Sequence, residues 1–339
     1  MSIDQSDADR ANAFFLLDEV LQFFWPAALR AAAELRVADH LADGPLPVQD
    51  LAKAVGADPR NLYRALRLLA TRGVFAEDAE GRIALTPKAD PLRSDAPNSV
   101  RSGVIMVTDA MFWSTSGAIT DSVREGGPVF ERIFGVPFFE YFATDPATVA
   151  LFHEGMASYS DSENLPVARA LPLAGGTRLV EIGGGHGHLL RTVLREHPGV
   201  HGVLFDRPHV VAEHGLGELG DDTRWETAEG DFFDKVPAGD AYLMKRVLHD
   251  WSDDECVEIL SRCRDAMHPG GRIYAVDTVI PEGNAYDHGK VLDVLLMVAF
   301  TGRERTAAEF ATLFDRAGLT VERVIPTDSV MSVVEGSRA

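Results

Sequence analysis

Leu179-Val180-Glu181-Ile182-Gly183-Gly184-Gly185-His186-Gly187-His188-Leu189-Leu190 runs from one apolar stretch through a cluster of glycines into another. It reads as a buried strand, a tight turn and the start of a helix. Glycine is needed where the backbone takes a positive φ or where a ligand lies against the main chain. The spacing Gly183, Gly185, Gly187 lacks the GxGxxG pattern of dinucleotide enzymes. Glu181, near the end of the strand, offers an acceptor for a ligand ammonium group. A strand–helix turn with no ligand would use the same residues, so this stretch speaks to the fold before it speaks to function.

Outward from this turn the pattern alternates. Strand candidates fall at 177–182, 202–205, 223–227, 241–244 and 272–276, with helical stretches between them. That alternation predicts an α/β fold with a mostly parallel, doubly wound sheet, Rossmann-like in plan. Thr306 and Glu309 form a capping box that opens a helix over 306–317. The runs 320–325 and 329–334 follow it as an antiparallel edge pair.

Ligands of open α/β sheets bind beyond the carboxyl ends of the strands, and the polar residues gather there. The second strand ends in Asp206, placed to accept hydrogen bonds from ribose hydroxyls. After the third comes Gly230-Asp231-Phe232-Phe233, where Asp231 suits an exocyclic amine and Phe232 a ring face. The fourth runs through Met244-Lys245-Arg246-Val247-Leu248-His249-Asp250-Trp251 to Ser252 and Glu255, a second capping box. Asp253 and Asp254 are then first-turn acids of a helix and not metal ligands, and no metal site is visible. His249 falls in the loop between strand and helix. The fifth strand ends at Asp277, and Glu304 lies further on; either carboxylate can fix the imidazole's tautomer and raise its basicity.

Residues 1–100 read differently, as helices followed by a small winged module. Apolar residues keep helical spacing from Ala11 to Leu41, with Pro26 set to kink or restart the helix. The run from Leu46 to Gly56 reads as a short helix, and Asp58-Pro59 caps the next. Two strand-like runs, Gly73-Val74-Phe75 and Arg82-Ile83-Ala84-Leu85, flank a turn. A helix-turn-helix with a wing raises DNA binding as an alternative, with Arg60, Arg64, Arg67 and Arg72 on the candidate recognition helix. Against it stand 52 acidic residues to 32 Lys and Arg, a net charge of −20 that repels phosphate backbones. Residues 101–165 form a helical connector rich in large apolar groups, among them Met106, Met111, Phe112, Trp113, Phe130, Phe138, Phe152, Met156 and Tyr159. As a group they suit a flat apolar pocket for a ring, although each alone suits a core. Residues 166–339 make the Rossmann-like domain.

Two cysteines, Cys256 and Cys263, sit seven residues apart in a helical stretch and match no zinc or redox spacing. No run approaches the roughly 20 apolar residues of a membrane helix, and Met1-Ser2-Ile3-Asp4 lacks the regions of a signal peptide. A cytoplasmic protein that does not engage membranes is the expectation.

The glycine-rich stretch from Glu181 to Gly187, Phe205-Asp206-Arg207-Pro208, Gly230-Asp231-Phe232-Phe233, Met244-Lys245, Leu248-His249-Asp250-Trp251 and Gly302-Arg303-Glu304-Arg305-Thr306 together resemble the caffeate-type plant and bacterial small-molecule O-methyltransferases. The winged N-terminal half resembles that family's dimerisation domain. The resemblance implies S-adenosyl-L-methionine as cofactor, with Glu181, Gly183, Gly185, Asp206, Asp231, Phe232 and Lys245 at it, and a homodimer. His249 is implied as the general base, flanked by Asp277 and Glu304. Phe152, Met156 and Tyr159, with Met297 on a helix over 290–300, are implied acceptor contacts, to which the apolar connector adds Trp113. The expected reaction is methylation of a hydroxyl on a small aromatic secondary metabolite. Alternatives are a nitrogen acceptor, or a relative that decarboxylates or hydroxylates instead.

Overall fold

Strand β4 (Arg178–Ile182) is buried at four of its five positions, as a strand covered on both faces must be. A computed structural model of the protein, which describes residues 3–141 and 146–339, places β4 inside a seven-stranded sheet. Short strands β1 (Leu46–Pro47), β2 (Phe75–Glu77) and β3 (Arg82–Leu85) precede it in the chain and form a separate antiparallel sheet. The larger sheet continues with β5 (His201–Asp206), β6 (Trp225–Glu229), β7 (Gly239–Lys245), β8 (Met267–Asp277), β9 (Leu319–Pro326) and β10 (Ser332–Arg338). Its order is β6-β5-β4-β7-β8-β10-β9. Strands β4 to β8 run parallel, while β10 pairs antiparallel with both β8 and β9.

Contacts among residues divide the chain into two units: residues 3–113 with 146–159, and residues 114–141 with 160–339. The first holds helices α1 (Ile3–Leu21), α2 (Phe24–Glu34), α3 (Val37–His40), α4 (Val48–Val55), α5 (Pro59–Ala70) and α6 (Arg101–Val107). Its core gathers Leu51, Leu62, Leu66, Leu69, Phe75 and Ile83. The chain breaks between α1 and α2, just before Pro26, which occupies the first turn of α2 where a missing N–H costs nothing. Asp58 caps α5 by accepting from the Asn61 amide at 2.9 Å. The stretch read as one helix from Leu46 to Gly56 differs: Leu46 and Pro47 pair with β3, and only Val48–Val55 is helical. Pairing with a distant strand outweighs local propensity there. Arg67 lies over the Tyr63 ring and Arg72 over the Trp25 ring.

Next come α7 (Ala110–Gly117), α8 (Ile119–Glu125), α9 (Phe130–Phe134), α10 (Phe138–Tyr141) and the long α11 (Pro146–Ala170). The second unit adds α12 (His188–Glu196), α13 (Pro208–Val211), α14 (Asp253–Ala266), α15 (His288–Ala299) and α16 (Ala307–Arg316). Its sheet has a core on each face, following the period of two along each strand. Val180, Ile182, Tyr242 and Met244 pack with Phe310 and Phe314 of α16 and with Cys256 and Cys263 of α14. Leu179, Leu243 and Val276 point the other way, onto Leu190 and Val193 of α12 and Val167 of α11. Both expected capping boxes are present, Ser252 with Glu255 and Thr306 with Glu309.

Several strand limits move, and the run expected over 329–334 is displaced to β10 at Ser332–Arg338, because Ser329 Oγ accepts from the Met331 amide and turns the chain there. The run read from residue 223 begins at Trp225, because Asp221 accepts from the Thr223 amide and folds Asp222–Arg224 into a 3₁₀ turn. Strand β8 starts five residues early, at Met267. No helix of the described residues is long and apolar enough to cross a membrane. Phe314, wholly buried, fills the space a side chain at Gly336 would need. Phe314→Ala is expected to cost roughly 3–5 kcal/mol, read as a lower urea midpoint with unchanged slope.

Candidate active site

The parallel strands all end on the same edge of the sheet, and β4 is where strand order reverses, with β5 on one side and β7 on the other. Open α/β sheets leave a crevice at that point. The turn after β4 carries positive φ at Gly183 (63°), Gly185 (58°) and Gly187 (79°). A Cβ built on Gly185 would meet nothing within 4 Å, so main chain faces open space there. Asp206 braces this turn from the end of β5: its Oδ2 accepts from the Gly185 amide at 2.8 Å and its Oδ1 from the Arg207 amide at 2.7 Å. Asp231 accepts from the Phe233 amide at 2.9 Å and from Arg207 Nη2 at 3.0 Å. The Phe232 ring stands edge-on to Trp251 and approaches to 3.8 Å of where a Cβ on Gly183 would lie.

Glu181 does not project beyond its strand. Its carboxyl turns beneath the loop, against the space above Gly184, and Oε2 has no hydrogen-bond partner among the described residues. Burial pushes it up to about 8, with Lys245 opposing the shift. Lys245 Nζ donates to Ser160 Oγ at 2.5 Å, to Asn164 Oδ1 at 2.7 Å and to the Ser160 carbonyl at 3.2 Å. Burial lowers this lysine to about 8 while Glu163 raises it. Arg246, next in the chain, pairs with Glu163 at 2.5 Å. Ser160, Glu163 and Asn164 share one face of α11, so a single helix face holds two consecutive cations.

His249 lies in the 3₁₀ turn Leu248–Asp250 between β7 and α14. Its ring is buried, with Nδ1 at 2.9 Å from Glu304 Oε1 and Nε2 at 3.5 Å from Asp250 Oδ1. Of the two carboxylates that could flank it, Glu304 takes the hydrogen bond. Asp277 does not: it is 0% exposed, and neither oxygen has a partner among the described residues. The loop before α16 accounts for the difference, since Gly302 lies so close to the turn that a Cβ there would collide with the His249 carbonyl. That approach carries Glu304 directly to the ring. Burial raises Asp277 to about 7, Glu304 to about 8 and Asp250 to about 6, with His249 opposing the shift at Asp277 and Asp250 and Arg246 opposing it at all three.

The expected acceptor contacts are spread over both units. Phe152, Met156 and Tyr159 follow i, i+4, i+7 spacing and share a face of α11, and the Tyr159 ring packs on Gly103 of α6. Trp113, on α7, is 38% exposed. These four belong to the first unit. Met297 belongs to the second, on α15, where its carbonyl accepts from Ser122 Oγ at 3.2 Å.

Two family descriptions match this chain, an O-methyltransferase domain over residues 117–320 and an O-methyltransferase dimerisation domain over residues 17–94. The chain belongs to the O-methyltransferase family. This methyltransferase is 39% identical to a phenazine O-methyltransferase of Lysobacter antibioticus over 97% of its own length and 98% of that protein's. It is 38% identical to a mitomycin biosynthesis 6-O-methyltransferase of Streptomyces lavendulae, over 98% and 97% of the two chains. Among solved structures, a methyltransferase of calicheamicin biosynthesis with S-adenosylhomocysteine bound superimposes with a TM-score of 0.92, at 45% identity and full coverage of both chains. The methyl donor of the family is S-adenosylmethionine, and the residues at the strand ends fit it. Open main chain at Gly185 and carboxylates at Asp206 and Asp231 are what a nucleoside with a cationic tail calls for.

Ser160, Glu163, Asn164, Arg246 and Asp250 escape a reading of the sequence for site residues. Asp250 lies within a quoted motif and Arg246 directly follows one; Ser160, Glu163 and Asn164 are set by the passage of α11 past the end of β7. The methyltransferase thereby buries acids with raised pKa values, and a pH dependence follows. Asp277 titrates near 7 when folded, against about 3.9 in an unfolded chain. A raised value means that its contribution to stability is fully present below about 3.9 and is lost as pH rises from there through about 7. Asp277→Asn is therefore expected to raise the melting temperature by a few degrees at pH 8.5 and by less at pH 5, with the gain vanishing below the unfolded pKa of about 3.9, measured by calorimetry without ligand.

Proposed function

We propose that this enzyme methylates a hydroxyl on a small aromatic acceptor of secondary metabolism, with His249 as the general base. The observation that carries the reading is the buried His249–Glu304 hydrogen bond of 2.9 Å. A carboxylate on Nδ1 requires the proton there, which leaves Nε2 as the lone pair able to take a proton. S-adenosylmethionine, when bound, supplies an electrophilic methyl on sulfur. Gly183, Gly185, Asp206, Asp231 and Phe232 would hold it, with Glu181 and Lys245 beneath and beside the loop. Trp113, Phe152, Met156, Tyr159 and Met297 keep the role of acceptor contacts in this proposal.

A phenol with pKa near 10 is almost wholly protonated at neutral pH. His249 withdraws its proton, and Glu304 stabilises the imidazolium that forms. General-base assistance of this kind is worth on the order of 10²- to 10⁴-fold. Glu304 must be ionised to hold the proton on Nδ1, so the working form is the one in which that acid has lost its proton. With Glu304 raised to about 8, turnover is expected to climb as pH rises from 6 to 9. His249→Gln should cut kcat at least tenfold and abolish that climb, while calorimetry still detects S-adenosylhomocysteine. Wild-type turnover in this variant would remove His249 from the chemistry.

The chain is also proposed to act as a homodimer through its N-terminal residues. Helix α1 leaves Phe14 70%, Phe15 60%, Leu17 68% and Val20 67% exposed, an apolar surface that a lone chain would leave in water. Sedimentation should give twice the chain mass for the wild type. A Phe14→Glu, Leu17→Glu double variant should sediment as a monomer; a wild-type monomer at micromolar concentration would defeat the assignment.

A further inference from the structure

Arg305 is only 1% exposed and is the largest side chain buried so completely. Every nitrogen of its guanidinium donates a hydrogen bond. Nη1 donates to the Leu248 carbonyl at 2.8 Å and Nη2 to the Trp251 carbonyl at 3.0 Å. Nε and Nη2 both reach Asp253 Oδ1, at 3.0 and 2.8 Å. The two carbonyls bracket His249 and Asp250. Arg305 therefore grips the peptide segment that carries the imidazole.

Its own main chain is fixed too. The Arg305 carbonyl accepts from the Ile280 amide at 3.0 Å, and Val279 and Arg305 form a parallel bridge just past Asp277. Glu304, the preceding residue, accepts at the imidazole, and its amide donates to Asp293 Oδ1 of α15 at 3.0 Å. One dipeptide thus touches the His249 ring, the carbonyls on either side of His249 and Asp250, and the chain leaving β8. Burying a guanidinium costs several kcal/mol of solvation, and an apolar side chain of similar volume would often serve stability as well. A planar fork that fixes two carbonyls serves orientation instead.

We propose that Arg305 is the positioning residue for His249, holding the turn that carries the base while Glu304 holds its ring. The proposal rests on His249 being the general base. Arg305 also stands in the field of the acids. The charged groups facing Glu304 and Asp277, besides each other, are His249 and Asp250 in the turn, Arg246 at the end of β7, Asp293 on α15, Glu163 on α11 and Arg305 itself, and both guanidinium groups favour the ionised acids.

Three variants test this beside the wild type and His249→Gln. Arg305→Lys keeps the charge and loses the fork; kcat should fall about tenfold or more, with the acceptor KM and the S-adenosylhomocysteine Kd within about threefold and the pH profile in place. Arg305→Met removes the charge as well, and its acid limb should move to higher pH. Asp253→Asn, at a partly exposed side chain, leaves the guanidinium with a neutral partner, folds without a buried change and should show an intermediate loss of kcat. All rates are taken well below each variant's melting temperature, per site titrated with S-adenosylhomocysteine. If His249→Gln is slow while Arg305→Lys and Asp253→Asn turn over like the wild type, Arg305 does not position the base. If His249→Gln itself turns over normally, the general-base reading fails, and the positioning role with it.

Discussion

Acidic side chains buried at the strand ends set the conditions for everything around them. Asp277, Glu304 and Asp250 crowd one imidazole, and like charges at such range cannot all ionise unless cations stand beside them. Arg246 and Arg305 supply that charge, and each needs a counter-ion of its own. Glu163 serves the first and Asp253 the second, so charge alternates outward from the imidazole in two directions. One chain ends on α11 and the other at the start of α14. The helices are thus held to the turn that carries His249 by electrostatics as well as by packing.

This arrangement explains why the turn after β7 can be so short. A single 3₁₀ turn makes few internal hydrogen bonds. The Leu248 and Trp251 carbonyls find donors on Arg305, the Ser252–Glu255 capping box fixes the start of α14, and Gly302 admits the loop at backbone distance. Strand β10, lying antiparallel between β8 and β9, covers the far edge of β8 and keeps Asp277 away from solvent.

What the sequence discloses follows from locality. Strand ends were legible because apolar runs stop at Asp206, Lys245 and Asp277, and helix starts because both capping boxes lie within four residues. The choice between Asp277 and Glu304 was not legible, since it turns on a close approach between segments some fifty residues apart. Ser160, Glu163 and Asn164 carry no local signal at all; they gain meaning only from Lys245 and Arg246, more than eighty residues away. Leu46 and Pro47 were misplaced for the same reason, because a pairing strand decides their state. Glu181 reads in the sequence as an acceptor at the strand's end for a ligand ammonium group; its burial against Gly184 carries no local signal.

Arg246 has φ 55°, a left-handed backbone that costs a residue with a Cβ on the order of 1 kcal/mol or more. Glycine or asparagine would relax the main chain, yet either would strand Glu163 in the interior without its guanidinium. Backbone and side chain therefore favour different residues at one position. Selection for heat tolerance alone would meet a conflict at this site.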